Sequence, residues 1–352
     1  MKSNCPACSM KWLASTNPMS EPRHRAWLKS PAVWPVAGLV LLLLVNLVFS
    51  REFFSLSMQN GHCVGAIVDV FKNGSICLVL ALGMTLVIAT GGIDLSVGSI
   101  MAMVAAVVAS RLERGDALPL VFAEGMVVGL LCGLVNGLLV SWARIQPIVA
   151  TLVLMVSGRG VAQLITGGYQ VRIDRAAFNF LGNGFILGLP VAPIVVTALF
   201  IMAWLGLRCS ATGLFIEAAG DNATASRFAG LATGRVKCLV YVVSGLCAAI
   251  AGILASSAIK NANPLHDGLN LELDAIFAVV LGGTALSGGR FNLLGTYVGA
   301  IMLQTLTETM YYDQVPSAVA PVPKAVLIIV VCLLQSETTR RWLSGLRGRA
   351  AA

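Results

Sequence analysis

Ten apolar runs dominate this sequence. They fall at residues 33–50, 74–90, 96–110, 119–141, 148–166, 191–207, 238–259, 272–287, 291–308 and 323–335. A bilayer core is about 30 Å thick and takes about 20 apolar residues of helix to cross. The runs therefore predict an all-α, polytopic transmembrane bundle of about ten spans. Several runs are short for that thickness, which predicts broken or tilted spans. Composition closes off the soluble alternative. Of 352 residues, 57% are hydrophobic and 11% charged, against about 25% charged in soluble domains. The first run exceeds a signal-peptide core of about 7–15 residues and no A-x-A site follows it, so it reads as an uncleaved span.

Charge orients the bundle. There are 24 Lys and Arg against 16 Asp and Glu. The excess lies at the two ends and in gaps between apolar runs, not on one soluble face as in a nucleic-acid binder. With ten spans both termini share a side. Placing that side in the cytoplasm puts fifteen bases inside and seven outside, as the positive-inside rule requires. The expected organisation is a cytoplasmic tail over 1–32, a transmembrane domain over 33–335 and a basic cytoplasmic tail over 336–352. Cys5 and Cys8 form a lone C-P-A-C in the first tail, without the second pair that a zinc site needs.

One polar segment, 208–237, is too long for a turn, and this topology makes it cytoplasmic. Asp221 or Asn222 is placed to cap a short helix over Ala223–Ala229 that carries Phe228 among small residues. Such a segment suits docking to a soluble partner. The chain also echoes itself: Gly91-Gly-Ile-Asp-Leu-Ser-Val-Gly98 and Gly282-Gly-Thr-Ala-Leu-Ser-Gly-Gly289 share G-G-x-x-L-S-x-G. Internal duplication fits transporter folds.

Gly125, Gly129, Gly133, Gly137 and Ser141 recur every four residues in the fourth run. On a helix they make one stripe that lets a neighbouring backbone approach closely. The paired glycines Gly91–Gly92 and Gly282–Gly283 break a helix, and broken backbone at membrane depth survives only against protein or water. Asp94, beside Ser96, has two readings: it lines a path or holds a gate, or it caps the helix that follows. Glu124 and Arg159 are ionisable groups inside the fourth and fifth runs, and a pair between them would offset their cost. There is no G-x-x-x-x-G-K-[ST], H-E-x-x-H or G-x-S-x-G, and His24, His62 and His266 are scattered. The chain therefore reads as a non-enzyme without cofactor or metal. An ion-coupled secondary transporter or channel is the rival reading, with few buried ionisable groups to run it.

Ile88-Ala-Thr-Gly-Gly-Ile-Asp-Leu-Ser-Val-Gly-Ser99 resembles the signature of sugar ABC importer permeases of the ribose/xylose/arabinose class. Leu271-Glu-Leu-Asp-Ala-Ile-Phe-Ala-Val-Val-Leu-Gly-Gly283 and Gly288-Gly-Arg-Phe-Asn292 resemble that family's second-half motif. Residues 145–166 and 245–252 are most similar to its galactofuranose branch. The Cys5/Cys8 extension and the Pro-rich 315–323 depart from the pattern. The resemblance implies a bacterial inner-membrane importer that moves a monosaccharide by alternating access. Its partners would be a separate ABC ATPase, a second, homologous permease and a periplasmic sugar-binding protein. It also implies that Gly213, Glu217, Ala218, Gly220, Asn222, Ala225 and Gly230 belong to the ATPase-coupling loop. The path or gate would use Asp94, Ser96, Gly91, Gly92, Gly282, Gly283 and Arg159. Outer loops, with Asp174 and Asp267 as acceptors, would meet the binding protein.

Overall fold

The computed structural model describes residues 33–335 apart from Ser50, Asn60, Ser317, Ala318 and Ala320. Both expected tails, with Cys5 and Cys8, lie outside the described residues. Among the described residues thirteen α-helices carry the fold, with three two-stranded ribbons between them. In chain order the helices are α1 Val33–Phe49, α2 Ala66–Ala89, α3 Val97–Glu113, α4 Leu118–Ser141 and α5 Pro147–Thr166. Next come α6 Ala176–Asn183, α7 Val191–Cys209, α8 Thr212–Asp221, α9 Ala223–Phe228 and α10 Thr233–Ile259. The last three are α11 Leu271–Leu281, α12 Leu293–Tyr312 and α13 Pro321–Gln335.

Local chemistry sets the boundaries. Proline stands in the first turn of α4 and of α5, where its missing N–H costs nothing. Gly167 closes α5 in the left-handed region at φ 67°, the usual glycine stop. The Asn292 side chain accepts the Gly295 N–H at 3.1 Å and starts α12.

Each expected span contains a helix, and the eighth breaks at the expected Gly282–Gly283 pair. Its helix, α11, has 11 residues and ends at Leu281, a length of about 16 Å. Residues 282–287 are not helical. This span begins as the irregular stretch 263–270 and ends as α11. The first part starts beside the ribbon Val171–Arg172/Asn261–Ala262; the far end reaches Gly289, against Asp221 of α8. A similar break, residues 90–96, precedes α3. Among the described residues five helices, α2, α4, α5, α7 and α10, are long and apolar enough to cross a membrane.

α2 and α10 form the centre, buried along most of their length. The expected glycine stripe of α4 seats on α10. A methyl group on Gly133 would lie 2.5 Å from the Tyr241 carbonyl oxygen, and one on Gly137 would lie 2.9 Å from that of Cys238. Large apolar side chains on α1, α4, α5, α7 and α13 stay exposed, as helices that meet lipid require.

Candidate functional site

Three places gather the residues singled out above. The first lies where the polar 208–237 segment meets the bundle. α8 and α9 form there, and the Asn222 side chain accepts the N–H groups of Thr224 and Ala225 at 3.1 and 2.9 Å, capping α9. The Ser226 hydroxyl donates to the Ala218 carbonyl at 2.7 Å and folds α9 back on α8. Gly230 ends the unit at φ 89°, a conformation that favours glycine. Gly213 sits tight on the carbonyl of Leu207, so α8 leaves α7 at a fixed angle. Glu217 is half-buried, whereas Leu214 and Phe228 are exposed, Phe228 at 89%. An apolar ring so exposed on a polar unit suits a protein partner.

Gly220 is the contact point with the bundle. A methyl group there would overlap the Ala89 carbonyl at the end of α2 and approach the Gly289 nitrogen to 2.7 Å. The Gly289 N–H itself donates to the Ala89 carbonyl at 3.0 Å. Gly288 packs on the Gly91 backbone. The two G-G-x-x-L-S-x-G segments therefore touch each other, and α8 touches the second one and the end of α2 just before the first.

The second place is the break before α3. Asp94 is fully buried. Its Oδ1 accepts the Ser96 N–H and hydroxyl at 3.0 and 2.6 Å, and its Oδ2 accepts the Ser244 hydroxyl of α10 at 2.8 Å. Asn136 of α4 donates to the Ser96 hydroxyl at 2.8 Å. This carboxylate is enclosed and joins the break to α10, and through Ser96 to α4. Gly92 leaves room for the Tyr241 hydroxyl, which a methyl group would approach to 2.6 Å. Gly282 packs against Gly295 and Thr296 of α12, and Gly283 turns the chain at φ 84°.

The third place surrounds Arg159. The expected Glu124–Arg159 pair does not form. Glu124 pairs with Arg111 of α3 at 2.8 Å, one helix away from the expected partner. Arg159 donates instead from Nη1 to the Asp267 carbonyl at 3.2 Å. Asp267 is 8% exposed and its Oδ2 accepts the Asn263 N–H at 2.8 Å, so it is not a free acceptor for a binding protein. Asp174 is exposed and pairs with Arg172 at 3.0 Å. Sequence reading missed Glu272, only 4% exposed, because it lies in an apolar motif and its partner segment is irregular. It also missed Glu308, held by Asn73 and Gln304 at 2.7 and 2.9 Å, and the Lys324–Asp274 pair at 2.9 Å.

A family model described as the permease component of a branched-chain amino acid transport system matches residues 66–332. The chain belongs to this family. It is a multi-pass transport permease rather than an enzyme. It is similar to the galactofuranose transporter permease YtfT of Escherichia coli (strain K12), with 44% identity over 90% of this chain and 94% of that one. The fructose import permease FruF of Bifidobacterium longum (strain NCC 2705) is 36% identical, covering 92% and 93%. The ribose import permease RbsC of Escherichia coli (strain K12) is 35% identical, covering 89% and 95%. No solved structure matches.

Proposed function

We propose that this chain is the membrane-spanning subunit of an ATP-driven importer for a monosaccharide, with galactofuranose as the first sugar to test. Near-complete coverage by permeases named for galactofuranose, fructose and ribose supports the class. The observation that carries the mechanism is the seat of Gly220 on Ala89 and Gly289. An ABC ATPase that grips α8 and α9 would push on both helix breaks at once, and the cavity would change the side it faces. Asp94, Ser96, Gly91 and Gly92 hold the first break in place, Gly282 and Gly283 set the end of α11, and Arg159 borders the path.

In this reading the membrane is the bacterial inner membrane and both termini are cytoplasmic. A second, homologous permease completes the pore. A periplasmic sugar-binding protein docks on the outer segments 51–73, 111–118, 167–190 and 260–262. These segments support one another. The Cys63 N–H donates to the Gly188 carbonyl at 3.0 Å, and His62 stacks on Phe185 at 4.2 Å. The test is uptake into vesicles carrying the complete transporter, with galactofuranose, ribose and fructose compared. ATP-dependent uptake of one of them supports the class, and preference for galactofuranose supports the assignment. Absence of uptake for all three overturns it.

A further inference from the structure

Arg159 and Glu272 present opposite charges at the same depth of the bundle, and each leaves hydrogen-bonding atoms unused. Arg159 spends Nη1 on the Asp267 carbonyl, while its buried Nε and Nη2 have no partner. Glu272 is 96% buried by its 4% exposure, and its Oε2 has no partner. Among the described residues, Arg159 makes no ion pair with either carboxylate. Unsatisfied charged groups inside a membrane are costly and are kept where a path or substrate uses them.

Backbone geometry places these groups at a crossing of broken helices. α3 begins at Val97 and α11 at Leu271. These two starts meet: Gly98 lies against the Gly268 carbonyl and the Glu272 carboxylate. The Gly98 neighbourhood sits near mid-depth: Asp94 bonds to Ser244, about 16 Å along the roughly 40 Å of α10, Met101 packs on Gly252, about 28 Å along it, and Gly98 falls between the two. Gly158 brings α5 to the same point, where a methyl group would lie 3.0 Å from the Ser99 hydroxyl oxygen and from Met103 Cε. Paired half-helix starts near mid-depth are where transporters hold solutes. The next α5 glycine, Gly160, faces open space. Ser157 is exposed on that side. Val153, Val156 and Leu164 share that exposed face, and Arg159 turns away from it into the bundle, where its Nε and Nη2 are buried.

We propose that Arg159 and Glu272 form a hydroxyl-binding station for a neutral sugar midway along the path. The station deepens the importer reading above and rests on it. Arginine offers only donors and the carboxylate only acceptors, so the bridging species must both accept and donate. A sugar hydroxyl does both. One positive and one negative group leave little net charge, so a phosphorylated or acidic sugar gains nothing here. Gly98, Gly158 and Gly268 fix the frame, and the Asp267 carbonyl fixes the arginine.

The test uses the complete transporter in proteoliposomes, with Arg159→Gln, Glu272→Gln and the exchange Arg159→Glu/Glu272→Arg. Each single change is expected to lower sugar uptake by at least about tenfold, the scale of one lost charged hydrogen bond. ATP hydrolysis stimulated by the loaded binding protein is expected to continue. The exchange is expected to stay as low as the single changes. Restored uptake in the exchange variant overturns the proposal in favour of a plain ion pair, and unchanged uptake in both single variants overturns it outright. If Glu272→Gln fails to assemble, a labelling arm decides. A cysteine at position 99 (Ser99→Cys), beside the Gly158 crossing, is labelled with a water-soluble thiol reagent, with and without the transported sugar. Protection by sugar that disappears with Arg159→Gln supports the station; equal protection in both backgrounds, or none in either, overturns it. A wild-type transporter that imports no sugar would instead reject the importer reading itself.

Discussion

Asp94 shows what a single residue does in this membrane protein. Its carboxylate takes three hydrogen bonds from Ser96 and Ser244, so truncation leaves buried donors without an acceptor. Asp94→Ala is expected to cost about 2–4 kcal/mol, visible as a clear fall in the melting temperature of the detergent-solubilised protein. An unchanged melting temperature would remove the clamp role. Sequence alone left Asp94 between path and cap, because both readings need the same residue in the same place. The bond to Ser244, 150 positions away, is a contact that the sequence could not show. The Arg159 partner was illegible for a similar reason. Helical periodicity says which face a residue is on, and nothing about an irregular segment such as 263–270.

At the scale of elements, the glycine stripe of α4 was readable because a four-residue repeat has one physical use in lipid. Gly133→Ala is expected to destabilise by about 1–3 kcal/mol through overpacking against α10, while Gly160→Ala, which meets open space, is expected to be neutral. Comparing their thermal stabilities checks both. The short helix α9 was readable too, as part of a polar interruption with a cap at Asn222. The contact of α8 with Gly289 and the end of α2 was not, since that junction joins segments far apart in sequence. Gly220→Val and Glu217→Lys are expected to leave membrane insertion intact and to abolish ATP-coupled uptake. Normal uptake in both would reject α8 as the coupling element. In span eight the break at Gly282 and Gly283 was readable from the paired glycines, whereas the irregular entry 263–270 was not.

For the whole molecule, hydropathy and charge carried most of the architecture. Apolar runs located every helix expected to cross, and the bias in basic residues supplied an orientation. That orientation has a direct check. Cysteines introduced at Phe228 and Asp174, both highly exposed, are expected to react with a membrane-impermeant reagent from opposite sides, Asp174→Cys from outside in intact cells and Phe228→Cys only after the membrane is opened. Labelling of both from one side would break the topology. The central claim is that ATP hydrolysis on a partner, delivered through α8, drives a sugar through this bundle. Its most direct test is sugar uptake by vesicles holding the complete transporter, once with the ATPase inactivated and once with the ion gradients collapsed. The account predicts loss of uptake in the first case and normal uptake in the second; uptake that survives ATPase inactivation and stops with the gradient would contradict it.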